Sequence, residues 1–146
     1  MLSLFGCLVA TICFALLLRT PIRVLPAVAF VAVVGYAICL IMGGTLSAYF
    51  VSSLVIAILS EIFARIKKMT SALFVVSGVI PIVPGMLLYR AVVLLAEDNT
   101  AKAGQAAIKA LLGFGAIALA ITIATAVFNN FHPMMLRLKS KKDTLY

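Results

Sequence analysis

Five apolar runs follow one another along this chain, at residues 2–18, 24–42, 45–64, 71–96 and 110–131, with short polar links between them. A helix rises about 1.5 Å per residue, so about 20 apolar residues cross the roughly 30 Å of hydrocarbon in a bilayer. All five runs meet that length, the first only marginally. Of the 146 residues, 65% are hydrophobic and 11% charged, against about 45–50% and about 25% in soluble domains. A soluble fold of this size keeps too much surface to hide such a share of apolar residues. The expected fold is all-α and integral to the membrane. It is a single transmembrane domain over residues 1–146 with about five transmembrane helices and a polar tail at 132–146.

The net charge of +8 is distributed in clusters. Arg19 and Arg23 follow the first run, Arg65, Lys67 and Lys68 follow the third, and Arg137, Lys139, Lys141 and Lys142 lie in the tail. The alternate links carry only Lys102 and Lys109. Nucleic-acid binders line a groove or helix face with cations, so that partner class is excluded. Membrane proteins retain such clusters on the cytoplasmic side. The expected topology is an N-terminus outside and a C-terminus in the cytoplasm, in a plasma (inner) membrane.

Several residues invite a chemical reading and have a simpler one. Cys7, Cys13 and Cys39 lie inside apolar runs without a CxxC pair and read as small buried residues. His132 is the sole histidine, before Pro133, and reads as interfacial, so no metal site is expected. No cation precedes the first run, which reads as a retained helix rather than a signal peptide. The stretch from Ala116 to Ala126 alternates small and large residues like a strand. A lone strand leaves its backbone unpaired in lipid, so a helix is expected. Gly113, Ala116, Ala120 and Ala124 would then form a small-residue stripe suited to close helix approach.

The sharpest local feature is Pro81-Ile82-Val83-Pro84-Gly85, in the middle of the fourth run. Proline removes a backbone donor and clashes with the preceding turn. Each half of the run is too short to span alone, so a break at mid-membrane is expected. Such a break is tolerated only against protein or a wet cavity. Transporters bind substrates at the ends of such half-helices. The start of the second half, near Gly85, offers free N–H groups to a carboxylate; a structural kink is the alternative. Arg90, five residues on, would clamp a carboxylate or snorkel to the interface, and Tyr89 beside it would bind or anchor. Glu61 is either an i, i+4 partner of Arg65 at the headgroups or a proton-carrying carboxylate for coupled transport. Thr122, Thr125, Asn129 and Asn130 are weaker contacts, since threonine can bond its own helix backbone. No enzyme motif is present, and no cofactor is expected.

Ser60-Glu61, Ala64-Arg65, Val79-Ile80-Pro81-Ile82-Val83-Pro84-Gly85, Tyr89-Arg90 and Arg19-Thr20-Pro21-Ile22-Arg23 together resemble the threonine/serine exporter family. In particular they resemble the small membrane subunit of its split, two-component form. The resemblance implies a secondary transporter of small amino acids or of dicarboxylates such as succinate. It also implies a larger membrane partner subunit that carries a cytoplasmic domain. The matching positions are Glu61, Pro81, Pro84, Gly85, Tyr89 and Arg90. Their assignment as coupling residue (Glu61) and substrate site (the others) rests on the physics above. The rival readings are a non-transporting assembly subunit and a homo-oligomeric passive channel.

Overall fold

The computed structural model describes the backbone of residues 2–143 and the side chains of residues 5–128 and 130. Six α-helices follow in order: α1 (Leu2–Leu17), α2 (Leu25–Ile41), α3 (Leu46–Lys67), α4 (Ser71–Val79), α5 (Gly85–Ala96) and α6 (Thr100–Asp143). A 3-10 turn, Ile80–Ile82, continues α4. No strand occurs among the described residues, so the alternating stretch in α6 is helical, as backbone pairing requires.

The helix ends follow local chemistry. Gly43 and Gly44 both take left-handed backbone angles (φ 71° and 63°), which only glycine adopts without cost. They turn α2 into α3, and Thr45 Oγ1 accepts from the Ala48 N–H at 3.4 Å to cap the new helix. Lys68 ends α3 in the left-handed region, its N–H directed at the Ala64 and Arg65 carbonyls.

Two expectations of length are corrected. α1 and α2 have 16 and 17 residues, slightly shorter than their apolar runs and at the short end of what a crossing needs, because the Arg19–Arg23 link and the glycine pair stop them early. By length and composition, α3 and the 100–128 part of α6 can cross a membrane. A third crossing results if Ser71–Ile82 and Gly85–Ala96, bent by 46°, are taken together. The last helix is also longer than the expected 110–131. It begins at Thr100 and runs on to Asp143 through the expected polar tail. Alanine and lysine dominate the first extension, and lysine, leucine, methionine and arginine the second, all of them strong helix formers. The side chains of His132, Asn129 and the tail cations lie outside the described residues.

The core has two layers. Ala15, Val24, Ala27, Val28, Ala64 and Phe74 form one; Val31, Cys39, Ala48, Ile56 and Ile82 form the other. Phe63 links them, edge-on to Phe30 (centroids 6.1 Å apart) and stacked on Phe74 (6.4 Å). Gly35 and Gly78 allow the closest approaches. A Cβ on Gly35 would collide with the Ile56 side chain, and one on Gly78 would lie 3.0 Å from Ile56 Cγ2. Helices α1 to α4 therefore pack as an up-and-down bundle.

The register between α3 and α6 settles where the break in the fourth run lies. A Cβ on Gly113 would sit 3.6 Å from Tyr49 Cδ2 and 3.1 Å from Pro84 Cγ. At the other end, the Arg65 guanidinium donates to the Phe128 carbonyl at 3.3 Å. Helices α3 and α6 thus run parallel, with Pro84 level with Tyr49, only three residues into α3. Within the bundle the break therefore lies away from the middle. It lies at the end marked by the Gly43-Gly44 turn. Beyond it, α5 and the first part of α6 form a hairpin. α6 extends about 20 Å past Gly113, whereas α3 extends only about 5 Å past Tyr49.

Candidate functional site

At the break, a 3-10 turn containing Pro81 gives way to extended Val83 (ψ 129°), and Pro84 precedes α5. Pro84 has no N–H to continue the ladder, so the Gly85 N–H bonds locally to the Val83 carbonyl at 2.7 Å. No side chain caps α5. The Leu87 and Leu88 N–H groups both donate to the Pro84 carbonyl, at 3.2 and 3.4 Å, which leaves the Met86 N–H as the donor of the first turn without a backbone acceptor.

A cavity of about 360 Å³ opens there. Tyr36, Cys39 and Leu40 of α2 line it, with Gly43 and Gly44, Tyr49 of α3, and Pro81, Ile82, Val83, Pro84, Met86 and Leu87. A second recess, about 300 Å³, lies on the α1 side of the same break and shares Tyr36 and Pro81 with the first. The walls are largely apolar, with two phenols and interrupted backbone as their polar elements. That arrangement suits a small solute with a carboxylate or amide head.

The structure brings together part of the site expected from sequence. Pro81 and Pro84 line the cavity. Gly85 joins two lining residues without lining it itself. Tyr89 and Arg90 do not line it and lie exposed on α5. Glu61 is buried on α3, more than three helical turns from Tyr49. It is not tied to Arg65, which reaches across to α6 and also stacks over the Phe128 ring at 5.1 Å. The register puts Glu61 level with Ala124, in the α3–α6 seam. The residues sequence reasoning missed are Tyr36, Cys39 and Tyr49. Their signal is proximity to the Gly43-Gly44 turn, which folds two aromatic residues over one end of the bundle.

The hydroxyls of the helices fall into two groups. Thr11, Ser52, Thr122 and Thr125 donate to the carbonyl four residues earlier, at 2.6–2.8 Å, so the two threonines of α6 satisfy themselves as expected. Ser53, Ser60 and Ser77 are fully buried without a partner. Ser60 adjoins Glu61, so polarity is concentrated on that part of α3. Among the described residues no three His, Cys, Asp or Glu side chains come together.

An all-helical chain with crossing-length helices and large apolar side chains over its outer faces is a polytopic membrane protein. The family model described as Threonine/Serine exporter, ThrE matches residues 3–127. The chain belongs to the threonine/serine exporter family and is a membrane transport protein of the amino-acid exporter type. No match is found among curated proteins, and none among solved structures.

Proposed function

We propose that the chain is one membrane subunit of a secondary exporter of threonine, serine or a dicarboxylate such as succinate, and that it works with a larger partner subunit. The observation that carries this reading is the cavity at the Pro81–Pro84 break, in a chain of this family. A substrate carboxylate would meet the uncapped first turn of α5. Tyr36 and Tyr49 would select its polar head, and Pro81, Pro84 and Gly85 hold the break open. Glu61, buried and free of Arg65, is the proposed proton carrier.

The parallel register of α3 and α6 supports five crossings. A re-entrant α4–α5 pair would return the chain to the side where α3 ends, and α6 would then run antiparallel to α3. A 46° bend keeps α4 and α5 moving forward instead. The basic links then share one side, taken as cytoplasmic. The N-terminus and the cavity mouth face the other, so the cavity is an exit vestibule in a plasma (inner) membrane.

The test is efflux of labelled threonine, serine and succinate from cells lacking the gene, complemented by the chain with and without the larger subunit. Efflux should return only with both chains. The double variant Pro84→Ala, Gly85→Ala should rejoin the helix and abolish it. Unchanged export by that variant at normal expression would remove the site assignment.

A further inference from the structure

The register that sets Gly113 beside Tyr49 also sets Lys109 level with Thr45, the cap of α3. A bilayer matched to α3 therefore places the Lys109 ammonium at headgroup depth. Lys109 lines a recess of about 390 Å³ together with Thr45 and Tyr49. A second recess, about 520 Å³, adjoins the first and shares Leu46 and Leu112 with it. This second recess lies between α3 and α6 and reaches Leu119. Its walls are Phe50, Val51 and Leu111, with the small residues Gly115 and Ala116 between them. A Cβ on Gly115 would meet nothing within 4 Å, so the cleft is open at that point.

The two recesses differ in chemistry, and they are stacked along the membrane normal. The Lys109 end holds an ammonium and the Thr45 hydroxyl, whose Oγ1 lies 3.0 Å from the Ser47 Oγ. The rest is apolar apart from Ser47. Leu119 is ten residues beyond Lys109, about 15 Å along the helix, or half of the roughly 30 Å hydrocarbon. The cleft thus has the depth of one leaflet, with its cation at the headgroup level.

That combination separates the possible occupants. A crossing helix of another chain, about 10 Å across, would cover α3 and α6 through both leaflets, whereas the cleft stops at Leu119. A free anion would use the Lys109 end and leave the apolar length without a role. An amphiphile with an anionic head and an acyl chain fills both.

We propose that this cleft binds an anionic phospholipid of the leaflet at the Gly43-Gly44 end, its phosphate on Lys109 and an acyl chain reaching Leu119. The inference rests on the membrane placement of α3 and stands apart from the exporter reading. Gly44, Tyr49 and Leu87 line both the lipid recess and the cavity at the break, so the bound lipid would share a wall with that cavity.

The test uses the full chain, purified in detergent, stripped of lipid and offered phosphatidylglycerol or phosphatidylcholine with identical acyl chains. Native mass spectrometry counts the lipid retained. One phosphatidylglycerol per chain should be kept, about fivefold or more over phosphatidylcholine, as one well-placed cation implies. Lys109→Glu should remove that preference and Lys109→Arg should keep it. Gly115→Leu, which fills the cleft without touching the cation, should lower retention of phosphatidylglycerol while the melting temperature holds. Excess inorganic phosphate should not displace the lipid. In cells, the photocrosslinker benzoylphenylalanine at Leu119 should give adducts of lipid mass. Equal retention of the two lipids, a preference indifferent to Lys109→Glu, retention indifferent to Gly115→Leu, displacement by phosphate alone, or a protein adduct at Leu119 would each overturn the proposal.

Discussion

The two halves of the fourth apolar run, Ser71–Ile82 and Gly85–Ala96, are similar in hydropathy and length, yet they pack differently. In the first half Phe74, Ser77, Gly78 and Ile82 are buried, between α1, α2 and α3. In the second only Ala91 is buried, against α6. The difference lies in where the small residues fall. Ser77 and Gly78 let neighbouring helices reach the α4 backbone on adjoining sides, and Gly78 admits both Ile56 and Val31. Between its ends, α5 presents long side chains everywhere except along the Ala91 seam. In a bilayer, apolar character alone gives helices no reason to associate; close approach of small residues does. One run therefore supplies a wall of the bundle and an arm that stands off it.

The largest effect expected from this contrast is at Gly35. Its neighbour Ile56 is fully buried and has no room to yield, so Gly35→Leu should cost about 3 kcal/mol or prevent folding. Gly104, on the arm, has nothing within 4 Å of its Cβ position, and Gly104→Leu should leave the detergent melting temperature nearly unchanged. Equal losses at the two sites would break the comparison. Of similar size is Phe74→Ala, which empties the stack on Phe63 and should cost about 3–5 kcal/mol. Val92→Ala on α5 should stay within about 0.5 kcal/mol by the same measurement. Gly113→Val tests the joint between arm and bundle. Its side chain would press on Pro84 and Tyr49, at a cost of about 1–2 kcal/mol, with faster hydrogen exchange across residues 85–112 than across 46–67. The smallest effect is expected from Arg65→Ala, which removes the Phe128 contacts and should cost about 1 kcal/mol.

Much of this was legible in the sequence because the signals are local. Apolar runs, the glycine pair and the Pro81–Gly85 element mark helices, turns and a break without reference to neighbours. The small-residue stripe of α6 was legible too: Gly113, Ala120 and Ala124 are buried. What escaped depends on register. The depth of the break follows from Gly113 meeting Pro84 and Tyr49 across three elements, and no count along a single run reveals it. Tyr36 and Tyr49 carry no local signal for the same reason, being ordinary positions in their own helices. The i, i+4 spacing of Glu61 and Arg65 suggested a pair, but spacing does not say that a neighbouring carbonyl and ring on α6 will draw the guanidinium away.

The central claim is that the cavity at the break is the substrate's exit, at the end opposite the basic links. Met86 lines that cavity and is well exposed. The direct measurement is threonine and serine efflux by a Met86→Cys chain, with Cys7, Cys13 and Cys39 replaced, before and after a membrane-impermeant thiol reagent is added outside the cells. The account predicts that efflux stops on external labelling and that excess threonine slows the labelling. Full efflux after complete labelling, or labelling possible only from the cytoplasmic side, would contradict it.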